Sequence, residues 1–182
     1  MPRRPRRSTP AAPPAEPTEP VEIFRAGTQA LMVRFVQALL VLIATPGLLW
    51  AAWALLTIPD PSLSPAARYA LVAGVLAFAA ATSLGMVVYG WCYVMSATWD
   101  PRAGACHLKL AGLFIPIRLT ITDAEGGRYH AGQSHVSPIE VNAPWYSIRV
   151  PGRRLPLILD LQGEFLHPEL VDRVLLARAK SA

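Results

Sequence analysis

Charged residues are scarce in this sequence of 182 residues: Asp, Glu, Lys and Arg together make up 16%, whereas hydrophobic residues make up 53%. Soluble globular proteins usually carry about 25% charged residues. The composition therefore argues against an ordinary soluble enzyme, and it excludes a wholly disordered chain. With two cysteines, Cys92 and Cys106, the chain also lacks the means to build a disulfide framework. These features predict a small membrane protein.

Two long runs, residues 35–58 and 69–95, contain no charged residue and no histidine. At about 1.5 Å per residue, the first run forms a helix of roughly 36 Å, which exceeds the ~30 Å hydrocarbon core of a bilayer. The proline-rich segment between the runs ends a helix, and Pro65 suits the first turn of the next one with Ser64 as its N-cap. We therefore expect a two-helix transmembrane hairpin in a domain of residues 25–99.

Positive charge is distributed unevenly around the two spans. Six arginines precede the first span, whereas Arg68 is the one basic residue in the connecting loop. Because Lys and Arg accumulate on the cytoplasmic side, we expect a multi-pass protein of the cell inner (plasma) membrane with cytoplasmic N- and C-termini. Aromatic residues at both ends of the spans then suit the outer interface (Trp50, Trp53 and Tyr69) and the inner interface (Tyr89, Trp91, Tyr93 and Trp99).

The N-terminal segment, residues 1–24, is rich in Pro and Arg and is expected to be a disordered cytoplasmic tail. Its four leading arginines either attract anionic lipid headgroups, at ~1 kcal/mol each, or form a solvated tail that only fixes the topology. No aromatic residues alternate with them, so we expect no nucleic-acid binding. These lipid-headgroup candidates are Arg3, Arg4, Arg6 and Arg7.

Small residues recur at helical spacing along one stripe of the second span, where they allow two helices to approach closely. The sequence leaves two uses open: packing against the first span, or docking onto a larger membrane subunit. Because neither span contains an ionisable residue, we expect the hairpin itself to carry no transport or electron transfer. In the first span, Pro46 frees the carbonyl of Leu42 and predicts a kink. The stripe consists of Ala70, Gly74, Ala77, Ala81 and Gly85.

Residues 100–182 predict a small β-sheet domain with a C-terminal helix at 168–180, so the whole chain is classed as an α+β membrane protein. Apolar residues alternate over 113–122, which indicates a strand that lies at a sheet edge or begins after Pro116. Cys106, Leu108 and Leu110 predict its partner strand, and the glycines of 123–127 predict a hairpin turn. Further strands are expected at 128–131, 139–141, 146–150 and 155–161.

The domain shows no pattern of residues that indicates a metal, cofactor or catalytic site. In a strand, His130 and His135 would lie on opposite faces, and no Cys-x-x-Cys or His-Glu-x-x-His motif accompanies them. Ser134, His135 and Asp123 form a conceivable triad, but such common residues occur in most domains. We therefore expect no enzyme; a membrane-surface enzyme using His130, His135 or Asp160 is the third hypothesis.

The layout of two spans followed by a small β-domain with a C-terminal helix resembles bacterial membrane proteins that carry pleckstrin-homology-like domains. This resemblance implies a membrane-tethered lipid- or protein-binding module. The lack of chemical motifs favours a different function: a non-catalytic accessory or assembly subunit of a larger inner-membrane complex. Its expected partners are the lipid bilayer and a larger membrane protein subunit, with no nucleic acid and no metal.

Overall fold

The computed structural model describes residues 17–58, 61–134 and 141–177. The fold is α+β, with two long apolar helices and an antiparallel sheet domain. Helix α1 is Thr28–Thr57 and helix α2 is Pro65–Cys92, and both are long and apolar enough to cross a membrane. The Ser64 Oγ accepts a hydrogen bond from the Ala67 N–H at 3.2 Å, which confirms the predicted N-cap of α2.

Pro46 changes the hydrogen bonding of α1 without ending the helix. Residues Leu40–Ala44 form a π-helical stretch, which replaces the α-helical pattern that a proline nitrogen cannot complete. The Thr45 hydroxyl donates to the carbonyl of Leu40 at 2.9 Å, and its oxygen lies 2.7 Å from Ser83 Oγ of α2. Because a hydroxyl has a single hydrogen, Ser83 donates to Thr45. Ser83 thus links the two helices.

In the described part of the chain, ten strands form three antiparallel sheets. The largest has the order β10-β1-β2-β3-β4, the second has the order β5-β8-β9, and β6 pairs with β7. The strands are β1 Val21–Arg25, β2 Val94–Asp100, β3 Ala105–Leu110, β4 Ile117–Ile121, β5 Gly127–His130, β6 Gln133–Ser134, β7 Val141–Asn142, β8 Trp145–Ile148, β9 Leu157–Asp160 and β10 Glu164–Phe165.

The helical hairpin is inserted between two neighbouring strands of the five-stranded sheet. Strand β1 leads into α1, strand β2 follows α2, and the two strands pair from Val21 opposite Trp99 to Arg25 opposite Ser96. Both ends of the hairpin therefore enter the same sheet. These bounds differ from the predicted ones, because residues 21–24 of β1 belong to the expected tail and residues 94–99 of β2 belong to the expected hairpin domain, the first two of them at the end of the second span. A five-residue strand next to a proline-rich segment gives too short a pattern to detect.

One hydrophobic core joins the two larger sheets and the C-terminal helix. Helix α3 begins as Pro168–Val171 and continues as the π-helical Asp172–Leu176. The predicted helix was 168–180, but the backbone is extended at Ala177, and residues 178–180 lie outside the described residues. Its apolar face is buried against strands of both sheets. The fully buried side chains of the core include Ile23, Phe24, Leu110, Ile148, Leu157, Leu159, Val171 and Leu175.

Two local predictions for the sheet domain have opposite outcomes. The edge position of β4 and its start after Pro116 are both confirmed, and β3 is its partner as expected. The prediction of a hairpin turn at 123–127 is wrong, because β4 and β5 belong to different sheets. The segment instead bonds to the end of β8, where the Glu125 N–H donates to the Arg149 carbonyl at 2.9 Å.

Candidate functional site

The small-residue stripe of α2 faces away from α1. Ala70, Gly74, Ala77, Ala81 and Gly85 are all exposed, and a methyl group added at either glycine would meet no atom within 4 Å. At 100° per residue, the stripe is centred about 180° around the helix from the packed positions Val72, Ala79 and Ser83. Packing against the first span is therefore not the use of the stripe. The face that does pack against α1 includes Val72, Ala79 and Ser83.

A close junction connects both helices to the loop that follows β3. Gln37 of α1 is fully buried and donates from Nε2 to the Met86 carbonyl of α2 at 2.9 Å. Only glycine fits at position 90, because a Cβ there would overlap the Gln37 amide nitrogen and the carbonyl oxygen of Gly112. The Gly112 N–H in turn donates to the Gly90 carbonyl at 2.9 Å. No local sequence pattern predicts this junction, although Gln37 is a polar residue in a largely apolar run.

A second contact ties the same loop to α1. The Arg34 guanidinium donates from Nη2 to the carbonyl of Phe114 at 2.7 Å. Arg34 is the last charged residue before the first apolar run. The loop is consequently bonded to both helices, at Arg34 on α1 and at Gly90 on α2.

Below the helices, two tyrosines and a carboxylate line a small cavity of about 200 Å³. The Tyr93 hydroxyl donates to Asp160 Oδ2 at 3.1 Å, while Asp160 Oδ1 accepts from the Gln162 N–H at 2.8 Å. Burial, together with the negative charge of Asp160, raises the pKa of Tyr93 above its usual range, so the phenol keeps its proton. The cavity is smaller than the ~300 Å³ at which pockets for small molecules begin. Its geometry fits a structural contact better than a substrate site.

Four arginines line an open groove on the three-stranded sheet. Arg128 and Arg149 lie in a cavity of about 760 Å³, and Arg149 also lines the adjoining cavity of about 380 Å³ with Arg153 and Arg154. The Arg153 guanidinium donates to the Trp91 carbonyl in the last turn of α2 at 2.9 Å. Glu125 is the carboxylate that lines both cavities. This groove, called the arginine groove below, has the charge to attract an anionic group.

Several residues considered in the sequence have defined surroundings. The His130 ring stacks on Trp145 with centroids 3.9 Å apart, and its Nε2 lies 3.0 Å from Ser147 Oγ. Of the aromatic residues expected at the inner membrane interface, Tyr93 is buried in the domain core and Trp99 lies in β2. Within the described ranges, no three His, Cys, Asp or Glu residues are grouped as metal ligands would be. Arg3, Arg4, Arg6, Arg7 and His135 lie outside the described residues.

Comparison with known proteins gives no assignment: no family model, no curated protein and no solved structure matches this chain.

Proposed function

We propose that this chain is a non-catalytic accessory or assembly subunit of a larger inner-membrane complex. In this proposal, α1 and α2 cross the bilayer as a hairpin, and the sheet domain and both termini are cytoplasmic. The observation that carries the proposal is the exposed small-residue stripe on α2.

The surfaces of the helices support the membrane part of this proposal. In the most apolar 18-residue windows of α1 and α2, only 6% and 11% of the residues are buried. A core helix of a soluble protein is mostly buried, whereas a helix in lipid keeps its apolar side chains on the outside. Exposed Phe78, Leu84 and Leu42, with exposed fractions of 58–66%, are such side chains. The cytoplasmic orientation is supported by the six arginines before the first apolar run, residues 35–58, against one between the two runs.

The stripe supports docking because of its residue type and its direction. In lipid, apolar burial gives no net gain between helices, so close backbone approach through small residues is a main source of helix association. The packed face of α2 is already occupied by α1, and the stripe is free to receive a further helix. A large membrane subunit would supply that helix.

The test is copurification of the full chain in mild detergent at native expression, followed by native electrophoresis. We expect the unaltered chain to migrate in a larger complex. The double variant Ala77→Leu, Ala81→Leu adds bulk on the stripe and should release the chain as a free species. The matched control is Ala73→Leu, Ala80→Leu, which makes the same chemical change at exposed positions off the stripe and should leave the complex intact. Recovery of the unaltered chain only as a free monomer would contradict the proposal.

A second candidate function is a membrane-tethered binding module, and the arginine groove is the observation that favours it. Arg153 connects the groove to the C-terminal end of α2, which in this proposal lies near the level of the lipid headgroups. Guanidinium groups bind phosphate oxygens through charge-assisted hydrogen bonds. The ligand of this module would therefore be an anionic lipid headgroup.

Native mass spectrometry of the full chain from mixed anionic and zwitterionic nanodiscs tests this second function. The unaltered chain should retain anionic lipid, and Arg149→Gln with Arg154→Gln should lose most of it. Arg118→Gln is the control, because it removes one positive charge at an exposed position on β4 of the five-stranded sheet, away from the groove. Equal retention by all three proteins would remove this candidate.

A further inference from the structure

The loop of residues 112–116, between β3 and β4, exposes large apolar side chains next to the helical hairpin. Ile115 is 79% exposed and Phe114 is 52% exposed, and the first residue of β4, Ile117, is 37% exposed. Adjacent apolar side chains at such exposure mark a contact surface for something apolar. The turn requires glycine at position 112, because the φ there is +60° and a Cβ would overlap the Ile115 carbonyl oxygen.

The loop lies at the depth where the proposed membrane ends. If Trp53 and Tyr69 mark the outer interface, about 20 residues of each helix span the hydrocarbon core, which brings the inner boundary near residues 33–34 on α1 and 89–90 on α2. Phe114 is bonded to Arg34 and Gly112 is bonded to Gly90, which are the residues at that boundary. The apolar surface of α1 is continuous there, since Leu31 and Phe35 are 68% and 64% exposed.

We propose that the 112–116 loop is a third membrane contact, with Phe114 and Ile115 inserted at the boundary between headgroups and acyl chains. This inference rests on the membrane-spanning hairpin of the proposed function. The occupant of the surface is the lipid of the inner leaflet, because the loop is tied to both helices at the level where their apolar surfaces end. Apolar side chains bind at this depth without crossing the bilayer. The contact would fix the tilt of the sheet domain against the membrane.

Site-directed spin labelling of the full chain in lipid nanodiscs tests the inference. The label is attached at Ile115→Cys, and its collisions with oxygen, which concentrates in lipid, are compared with those with a water-soluble nickel complex. Phe78→Cys, an exposed position in the middle of α2, reports whether the hairpin is in lipid. Thr122→Cys, exposed just beyond the far end of β4, reports water. The native thiols Cys92 and Cys106 are buried and accept label slowly.

We expect the label at position 115 to resemble the label at 78, with oxygen accessibility several-fold above that of the position 122 label relative to nickel. If position 115 resembles position 122 while position 78 is in lipid, the loop inference is wrong and the hairpin stands. If position 78 itself resembles position 122, both the hairpin and the inference are wrong.

Discussion

Gly90 is a residue at which a single methyl group would disturb the junction between α2 and the 112–116 loop. A Cβ at this position would overlap the Gln37 amide nitrogen and the Gly112 carbonyl oxygen, and the latter is backbone that cannot rotate away. Gly90→Ala must therefore move the loop from the helix, which weakens the hydrogen bond from the Gly112 N–H to the Gly90 carbonyl.

The expected change in the free energy of unfolding is the sum of three effects. Overpacking costs about 1–3 kcal/mol, and loss of the hydrogen bond costs roughly 1 kcal/mol. Replacing a helical glycine by alanine returns roughly 1 kcal/mol through helix propensity. Gly90→Ala should therefore destabilise the protein by about 1–3 kcal/mol, measured by denaturant or thermal unfolding of the purified chain in mild detergent with circular dichroism.

Gly85→Ala is the matched control, because it makes the same substitution in the same helix at a position where a methyl group meets nothing within 4 Å. It should be neutral or stabilise the protein by up to about 1 kcal/mol, from the propensity gain alone. A Gly90→Ala protein that is as stable as Gly85→Ala would refute the close junction between α2 and the loop.

The remaining predictions concern one side chain in each part of the molecule. Ser83→Ala removes the hydrogen bond to Thr45 and should lower hairpin stability by roughly 0.6 kcal/mol, the average for such bonds in membranes; Thr82→Ala, one position away, is the comparison, and equal effects would contradict the bond. Burial raises the pKa of Cys106 to about 12, so few of its thiols are ionised at pH 8. Alkylation of Cys106 should be very slow in the folded chain, accelerate as pH rises towards 12, and become rapid on unfolding; rapid labelling at pH 8 in the folded state would contradict its burial.

The hairpin and much of the sheet domain follow from patterns that are local in the sequence. The two long apolar runs predicted both long helices, and Ser64 before Pro65 predicted the start of α2. Pro116 predicted that the strand lies at a sheet edge or begins after the proline, because a proline cannot donate to a ladder, and β4 does both. In each case the physical cause lies within a few neighbouring residues, which is why the sequence is sufficient.

The candidate sites depend on contacts between distant residues and were mostly missed. Arg34 and Phe114 meet across 80 positions of sequence, and Gln37 and Met86 across 49. The arginine groove joins strands β5 and β8 with the turn after β8, so no local spacing predicts it. The small-residue stripe was visible in the sequence, but its direction was not.

The sequence by itself determined that two helices are long and apolar and that a small sheet domain accompanies them. Both follow from the hydrophobicity of residues that are neighbours in the sequence, because the free energy of transfer from water is summed over those side chains. The tertiary structure decided that the hairpin is inserted between β1 and β2 of one sheet and that the stripe on α2 faces outward. Strand pairing and the choice of a packed helix face depend on which distant surfaces fit together, and only the folded chain brings those surfaces into contact.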